Sequence, residues 1–332
     1  MLDLRRNDYD VTNSVQVSST AAVSEAVREL FASAWPGEPF DRVATAFEEF
    51  ERLFAGRMPG YHGVDTVYHD RQHSLDMTLA MARLLVGYES SVEPQQRFGS
   101  ERAVMALVTS LFHDAGYIRE FDDQLHRNGA EFTLYHVTRS ARFLARFLPS
   151  VGMESWVPVS TRIVHFTGYE IKLSQIQLAD SRDRKCGHLL GTADLIAQMA
   201  DRCYLEKCRD RLYPEFVLGG IAAAPGSDGT MQVRYSSGLD LLRQTPHFIR
   251  ETRTGRLNGE FEHAYRFVEP LFGGGKNPYL EAIDRNVEYL QRILRAERWR
   301  MLRRNPPLFT SERNQLGLVR GLMVNRLKAL WA

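Results

Sequence analysis

Apolar residues recur with a helical period along most of this chain. After Ser19 and Thr20, the residues Val23, Val27 and Phe31 follow at intervals of four, which places them on one face of a helix. Serine and threonine are favoured N-terminal capping residues, so the first helix is expected to begin there. The same period predicts further helices over 41–56, 73–87, 101–114, 130–148, 155–166, 185–202, 261–272, 277–304 and 311–331.

Strand-like alternation is scarce, and only residues 231–236 show it. Clusters of glycine and proline at 57–63, 219–229 and 272–278 indicate loops between the helices. No internal repeat and no low-complexity linker interrupts the chain. The pattern therefore predicts an all-α fold that is built as one multi-helix domain.

The two ends of the chain differ from the rest. Residues 1–20 are polar and predict a flexible N-terminal arm. Residues 21–305 carry the predicted helical domain, and 306–332 contain an amphipathic helix in which an apolar stripe lies beside arginines. Packing of this helix onto the domain is the ordinary outcome. A dimer contact, and hence an oligomer, or a position on a membrane surface is also open for it.

Composition excludes several classes of protein. The 332 residues are 44% hydrophobic and 25% charged, and the formal net charge of +1 gives no reason to expect a nucleic-acid partner. No apolar run reaches the roughly 20 residues of a membrane span. Three cysteines without a CxxC pair are too few for a disulfide framework. We therefore expect a protein of the reducing cytoplasm.

The stretch from Tyr68 to Asp76 is the first motif with candidate chemistry. His69 and His73 are four residues apart, so in a helix that begins near Asp70 they lie on one face. That spacing suits a shared metal ion, or a ligand beside a proton donor. The alternative is a pair of histidines at a helix start, with Asp70 as the capping residue.

His113 and Asp114 form a second motif, directly after the apolar run 104–112. An ionisable pair at the end of such a segment needs a partner, because burying an uncompensated charge is costly. A salt bridge to an arginine would satisfy the pair, and so would a bound metal ion. The dipeptide alone does not decide between them, since His69 and Asp70 form the same dipeptide.

Three later residues are of the same chemical types. His136 and His165 lie on predicted apolar faces, where a histidine is more often a hydrogen-bonded core residue. Asp194 lies in the apolar stretch 189–196, and a carboxylate is seldom buried without a partner. Histidine and aspartate without thiolates suit Mg, Mn, Zn or Fe and do not favour a structural zinc site.

In their order along the chain, these motifs resemble the HD-domain superfamily of metal-dependent phosphohydrolases. The stretch from Tyr68 to Asp76 is similar to the YHNxxHAxDV signature of cyclic-nucleotide phosphodiesterases within that superfamily. The resemblance implies that residues 21–305 form an HD-like helical catalytic domain. The chain departs from the signature at Asp70, Ser74 and Met77, where the family has asparagine, alanine and valine.

The resemblance also implies a role for each residue. His69 would give a proton to the leaving oxygen of the substrate. A first divalent ion would be held by His73, His113, Asp114 and Asp194, and ligands to a second ion would come from His136 and His165. One or two ions of Mg, Mn, Zn or Fe are thus the expected cofactor. The implied activity is hydrolysis of a nucleotide-like phosphodiester, such as a cyclic nucleotide, by a metal-bound hydroxide.

Candidate substrate-binding residues lie outside the metal motif. Gln244 and Phe248 are similar to the glutamine and phenylalanine that hold a purine in phosphodiesterases, but they stand one residue further apart. Arg71 is close to the first motif and is a candidate to bind phosphate, although arginines in such positions more often form surface ion pairs. The expected partner is a small nucleotide-like phosphoester.

The sequence leaves two other functions open. Some members of the HD superfamily use the same six-ligand set in a di-iron centre that activates oxygen. A catalytically silent module with a structural metal or ligand site is the non-enzymatic alternative. All six candidate ligands are present, which favours an active site over a decayed one.

Overall fold

The computed structural model describes residues 5–226, 228, 230–310 and 314–330. The predicted all-α fold is confirmed, because helices make up nearly all of its regular structure. In chain order the α-helices are α1 (Thr20–Ala34), α2 (Asp41–Phe54), α3 (Arg71–Ser91), α4 (Gly99–Leu111), α5 (His136–Ser150), α6 (Val157–Ile163), α7 (Ser181–Ala200), α8 (Tyr204–Lys207), α9 (Tyr213–Leu218), α10 (Gly238–Glu251), α11 (Pro278–Ala296) and α12 (Gln315–Leu330).

Helices α3 and α7 form the centre of the molecule. They pack on each other, α3 also packs on α1 and α4, and α7 packs on α11. Both helices are buried on almost all sides, as expected for helices without a continuous polar stripe. Polar side chains in the first turn of α3 and the middle of α7 are therefore held inside the protein.

Most predicted helices are present, but their boundaries differ. The cap of α1 is confirmed, because the side chain of Ser19 accepts a hydrogen bond from the amide of Ala22 (3.3 Å). The segment predicted over 277–304 is interrupted after Ala296, because Glu297 adopts the left-handed conformation with φ of 50°. The predicted helices do not include 204–218, where charged residues interrupt the apolar pattern. They also miss 238–251, although Leu241, Leu242 and Ile249 lie on one buried face of that helix.

One small sheet interrupts the helices. Strands β1 (Ala223–Pro225) and β2 (Met231–Val233) pair antiparallel, with Ala223 opposite Val233. Strand β2 lies within the stretch 231–236, whose apolar and polar residues alternate in the sequence. The pair β1–β2 is the only sheet among the described residues.

The prediction of a flexible N-terminal arm is wrong for residues 5–19; residues 1–4 lie outside the described part of the chain. The buried carboxylate of Asp10 accepts a hydrogen bond from Arg83 of α3 (2.6 Å), and Arg83 also donates to the hydroxyl of Tyr279 (2.8 Å). Val17 is fully buried. The segment is held in place because it supplies the counter-charge for a buried arginine, a pairing that local composition does not reveal.

The C-terminal part of the chain folds back onto the domain. The backbone carbonyls of Pro306 and Pro307 accept hydrogen bonds from Arg211. Helix α12 packs against α9, and Val319 is buried in a small cluster with Val67. Packing onto the domain is thus the arrangement in this structure. Residues 311–313 and 331 of the predicted helix lie outside the described part of the chain.

Within the described residues, no helix has both the length and the apolar character needed to cross a bilayer. The three cysteines, Cys186, Cys203 and Cys208, are buried and form no disulfide.

Gly87 allows α3 to approach the 3-10 segment Ala264–Phe272 closely. A Cβ atom at Gly87 would lie 1.5 Å from the carbonyl oxygen of Phe267, so Gly87→Ala must push two backbones apart. We expect the substitution to lower the free energy of unfolding by about 3 kcal/mol, measured by urea denaturation.

Gly255→Ala is the matched control for this measurement. A Cβ atom at Gly255 meets nothing within 4 Å, and alanine is the better helix former. The control should be as stable as the wild type or slightly more stable. Equal stability of the two variants would contradict the packing of α3 on this segment.

Candidate metal centre

The first motif forms the start of helix α3. Asp70 immediately precedes the helix, and its carboxylate accepts a hydrogen bond from the amide of His73 (3.2 Å). The capping role predicted for Asp70 is therefore confirmed. The cap fixes the first turn, so that His69 lies just before the helix and His73 lies within it. The centroids of these two rings are 5.8 Å apart.

Helix α4 ends at Leu111 and brings His113 and Asp114 to His73. The Oδ2 atom of Asp114 lies 3.4 Å from Nε2 of His73 and 3.3 Å from Nε2 of His113. Asp194 of α7 adds a second carboxylate. Its Oδ1 atom lies 3.3 Å from Nε2 of His73 and 3.9 Å from Nε2 of His113. Four side chains that are far apart in sequence thus come together.

These side chains fit a metal ion better than they fit one another. Nε2 of His113 and Oδ2 of Asp114 are buried and have no hydrogen-bond partner, although buried polar atoms nearly always have one. Their separation exceeds an ordinary N–H···O bond. Two ligands with bonds of about 2.1 Å to one cation stand roughly 3.0–3.4 Å apart. His73, His113 and Asp114 therefore form a buried group that could hold a metal ion.

The charges in this group are strongly coupled. Burial alone would raise the pKa of Asp114, but the rings of His113, His69 and His73 hold it far below its usual range. Burial also opposes protonation of His113, but Asp114 and Asp194 outweigh it and raise the pKa of His113 to about 9. Without a metal ion, a proton on His113 compensates the carboxylate. A cation bound to these residues would take the place of that proton.

Backbone carbonyls orient two of the rings. Nδ1 of His113 donates to the carbonyl of Ser110 (2.8 Å), and Nδ1 of His136 donates to the carbonyl of Thr133 (2.8 Å). These bonds leave each Nε2 available as a metal ligand. Nε2 of His136 lies 3.7 Å from Oδ1 of Asp114. Asp114 therefore faces His113 with one oxygen and His136 with the other.

His69 is held by a carboxylate instead. Its Nδ1 lies 2.6 Å from Oε2 of Glu215, a fully buried residue of α9. The other oxygen of Glu215 accepts the amides of Val67 (2.5 Å) and Tyr68 (2.6 Å), which fixes the carboxylate. Burial opposes protonation of His69, but Glu215 outweighs it and raises the pKa of His69 above its usual value. The contact with Glu215 therefore favours the protonated form of His69.

The ring of Tyr117 separates His69 from His136. It stacks on His69 with a centroid distance of 4.4 Å and on His136 with a centroid distance of 4.3 Å. The two imidazoles are thereby kept 6.2 Å apart. The stack fixes both ring planes, so His69 stays distinct from the residues that face Asp114.

His165 is the remaining candidate ligand. It belongs to the 3-10 turn Val164–Thr167, and its Nδ1 is buried without a hydrogen-bond partner. Burial lowers the pKa of His165, and Glu170 opposes that shift. Within the described residues, its ring makes no ion pair with Asp114 or Asp194. Its role as a ligand to a second ion stays a prediction.

The candidate substrate-binding residues have other contacts. Nη1 of Arg71 donates to both carboxylate oxygens of Glu51 (2.8 and 3.0 Å), so its charge is already compensated. Gln244 donates to the carbonyl of Arg234 (3.0 Å), and Phe248 is 36% exposed on the same helix, α10. In the described part of the chain none of the three forms a hydrogen bond or an ion pair with the side chains of His73, His113, Asp114 or Asp194. Their roles in substrate binding also stay predictions.

Two residues of the site escape the sequence patterns. Glu215 stands 146 residues after His69, and Tyr117 follows the second motif without any chemical signature of its own. The signal that marks Asp194 also applies to Glu215, because it is an acid followed by the apolar residues 216–218. No comparable signal marks Tyr117, whose role depends on the two rings that it separates.

Comparison with known proteins gave no match. No family model, no curated protein and no solved structure is similar enough to this chain to support an assignment.

Metal binding should strengthen as the pH rises. A histidine ligand must be neutral, and the pKa of His113 is raised to about 9, so below that pH a proton must leave when a metal ion binds. We expect the association constant for Zn²⁺ or Mn²⁺ to rise about tenfold per pH unit from about pH 6 to 8. Competition with a chelator of known pH dependence measures it. An affinity that does not change over this range would rule out the competition between proton and metal.

Glu215→Gln should lower the pKa of His69. The substitution keeps the shape of the side chain but removes the charge that outweighs burial, so burial then dominates. NMR titration of the histidine rings in the metal-free protein measures the shift. Glu170→Gln is the matched control, since Glu170 lies near His136 (3.9 Å) and has no contact with His69. An unchanged pKa of His69 in Glu215→Gln would contradict the assigned contact.

Proposed function

We propose that this protein is a metal-dependent phosphohydrolase of the HD-domain type and that its substrate is a nucleotide-like phosphodiester. One observation supports this most strongly. Nε2 of His113 and Oδ2 of Asp114 are buried, lack a hydrogen-bond partner and face each other. Beside them lies His69, which is paired with the carboxylate of Glu215. The first arrangement suits a divalent cation, and the second suits proton transfer.

The ligands in this proposal are His73, His113, Asp114 and Asp194. A divalent ion bound to them would lower the pKa of a coordinated water and neutralise charge that develops on the phosphoryl oxygens. Asp114 faces both His113 and His136, so it is the residue that two ions would share. One ion or two are both compatible with this arrangement.

Departure of an alkoxide requires a proton, and His69 is the proposed donor. Its Nδ1–H stays bonded to Glu215, so the proton that can be transferred is the one on Nε2. Glu215 raises the pKa of His69 and so favours the protonated ring at neutral pH. The stack on Tyr117 holds that ring in place. After transfer, the fixed negative charge of Glu215 favours reprotonation.

The pair of His69 and Glu215 is also the observation that favours hydrolysis over the alternatives. A di-iron oxygenase needs its histidines as neutral ligands and has no need for a histidine that is kept protonated beside the ligand set. A silent binding module has no need for it either. The amides of Val67 and Tyr68 fix the carboxylate of Glu215 beside His69, so its charge acts on that ring.

His69→Ala should retain the metal ion and lose turnover. Loss of a general acid typically lowers a rate by about 100-fold or more. We expect a loss of this size with a cyclic nucleotide, whose leaving group is an alkoxide. With bis(p-nitrophenyl) phosphate the loss should be much smaller, because p-nitrophenolate leaves without a proton. Steady-state rates and metal analysis of the same preparations measure both effects.

Two further variants complete the experiment. Asp114→Ala should lose both metal and activity with either substrate, and His247→Ala, at an exposed histidine (68% of the side chain), should lose neither. Equal loss with both substrates in His69→Ala would refute the proton-donor role. Oxygen consumption by the iron-loaded protein, without hydrolysis of either diester, would replace the hydrolase proposal by the di-iron oxygenase.

A further inference from the structure

Positive charge is concentrated near the end of α11. From Arg292 to Arg304 the chain has six arginines and one acidic residue, Glu297, which gives this segment a net charge of +5. The whole protein has a formal net charge of only +1. A local field of this kind attracts anions even when the total charge is near zero.

The chain turns back at this segment and forms a pocket. Glu297 adopts the left-handed conformation and ends α11, and the next residues form the 3-10 helix Trp299–Met301. The hydroxyl of Tyr289 donates to the carbonyl of Met301 (2.7 Å) and fixes the turn against α11. The pocket has a volume of about 720 Å³, and sites for small ligands span roughly 300–1,000 Å³. It is lined by Tyr289, Glu297, Arg298, Trp299, Arg300, Met301 and Arg303.

The arginines of the pocket have no carboxylate partner in the described part of the chain. Arg298, Arg300 and Arg303 are exposed, and within the described residues none of them forms an ion pair. Arginines elsewhere are often paired, as Arg102 is with Asp183 (2.7 Å). Glu297 is the only carboxylate in the lining. Three arginines without an ion-pair partner line one pocket, and such a set favours a ligand with several negative charges.

Aromatic rings accompany these charges. Trp299 and Tyr289 line the pocket. The guanidinium of Arg243 lies 5.3 Å from the ring centroid of Trp299, and that of Arg304 lies 5.4 Å from the ring centroid of Tyr289. Aromatic rings and guanidinium planes are the groups on which proteins stack nucleobases, and arginines bind the phosphates.

We propose that this pocket is a second ligand site and that it binds a nucleoside polyphosphate. The phosphates would contact Arg298, Arg300 and Arg303, and the base would stack on Trp299. A membrane surface fits less well, because the three arginines line one pocket together with Trp299 and Tyr289 and do not form a continuous basic face. A nucleic-acid strand also fits less well, since this volume accommodates one or two nucleotides and not a longer stretch. The site is separate from the metal centre in its residues and in its chemistry.

Calorimetric titration of the full chain with ATP tests the proposal. EDTA is present throughout, so that the metal centre cannot contribute. Arg298→Ala/Arg300→Ala/Arg303→Ala should weaken ATP binding about tenfold or more, because charge-assisted contacts are lost. The control Arg97→Ala/Arg142→Ala/Arg162→Ala also removes three exposed arginines and should bind ATP as the wild type does. A fourth variant, Trp299→Leu, should weaken binding of ATP but leave binding of inorganic triphosphate unchanged.

Several outcomes would overturn the proposal. One is that the wild type does not bind ATP, and another is that both triple variants weaken binding equally. Equal affinity of ATP and triphosphate would remove the role of the base. Binding of phosphatidylserine vesicles or of a 20-nucleotide RNA that depends on the three arginines, without binding of ATP, would identify a membrane or a nucleic acid as the ligand instead.

Discussion

The candidate site depends on the compensation of one buried charge, the carboxylate of Asp114. Its Oδ2 atom is buried without a hydrogen bond, and the neighbouring histidine rings hold its pKa far below its usual range. Such a charge is stable inside a protein only when cations or proton donors surround it. The start of α3, the end of α4 and the start of α5 each bring one histidine to this carboxylate. The packing of the central helices is therefore also what assembles the site.

The partner of Nδ1 distinguishes the histidines. His113 and His136 donate to backbone carbonyls, which are neutral, so their Nε2 atoms remain available to a metal ion. His69 is paired with Glu215, which carries a charge and favours a protonated ring. Tyr117 keeps the two kinds of histidine apart. The three histidines thus fall into two kinds, because Nδ1 of His113 and of His136 meets a neutral carbonyl whereas Nδ1 of His69 meets a carboxylate.

Local features of the site could be predicted from the sequence, and long-range ones could not. The cap at Asp70 and the position of His73 depend on a single turn of helix, so the pattern contains them. The pattern also predicts His69 on that helix, but His69 lies just before it. The pairing of His69 with Glu215 joins residues 146 positions apart, and the pairing of Asp10 with Arg83 joins an apparently polar arm to the core. In both cases the partner of a buried charge is determined by the folded structure and not by nearby sequence. Apolar periodicity carries no information about that choice.

The same limit applies to charge. A net charge of +1 is an average over the whole chain, and it excludes only a strong long-range field. At an ionic strength near 0.1 M, charges more than about 10 Å apart are largely screened from each other. A ligand at Arg298, Arg300 and Arg303 would therefore respond to the local charge of +5 and not to acidic residues on distant helices. What matters for an anion is how many arginines near the pocket lack a carboxylate partner, and only the folded chain reveals that number.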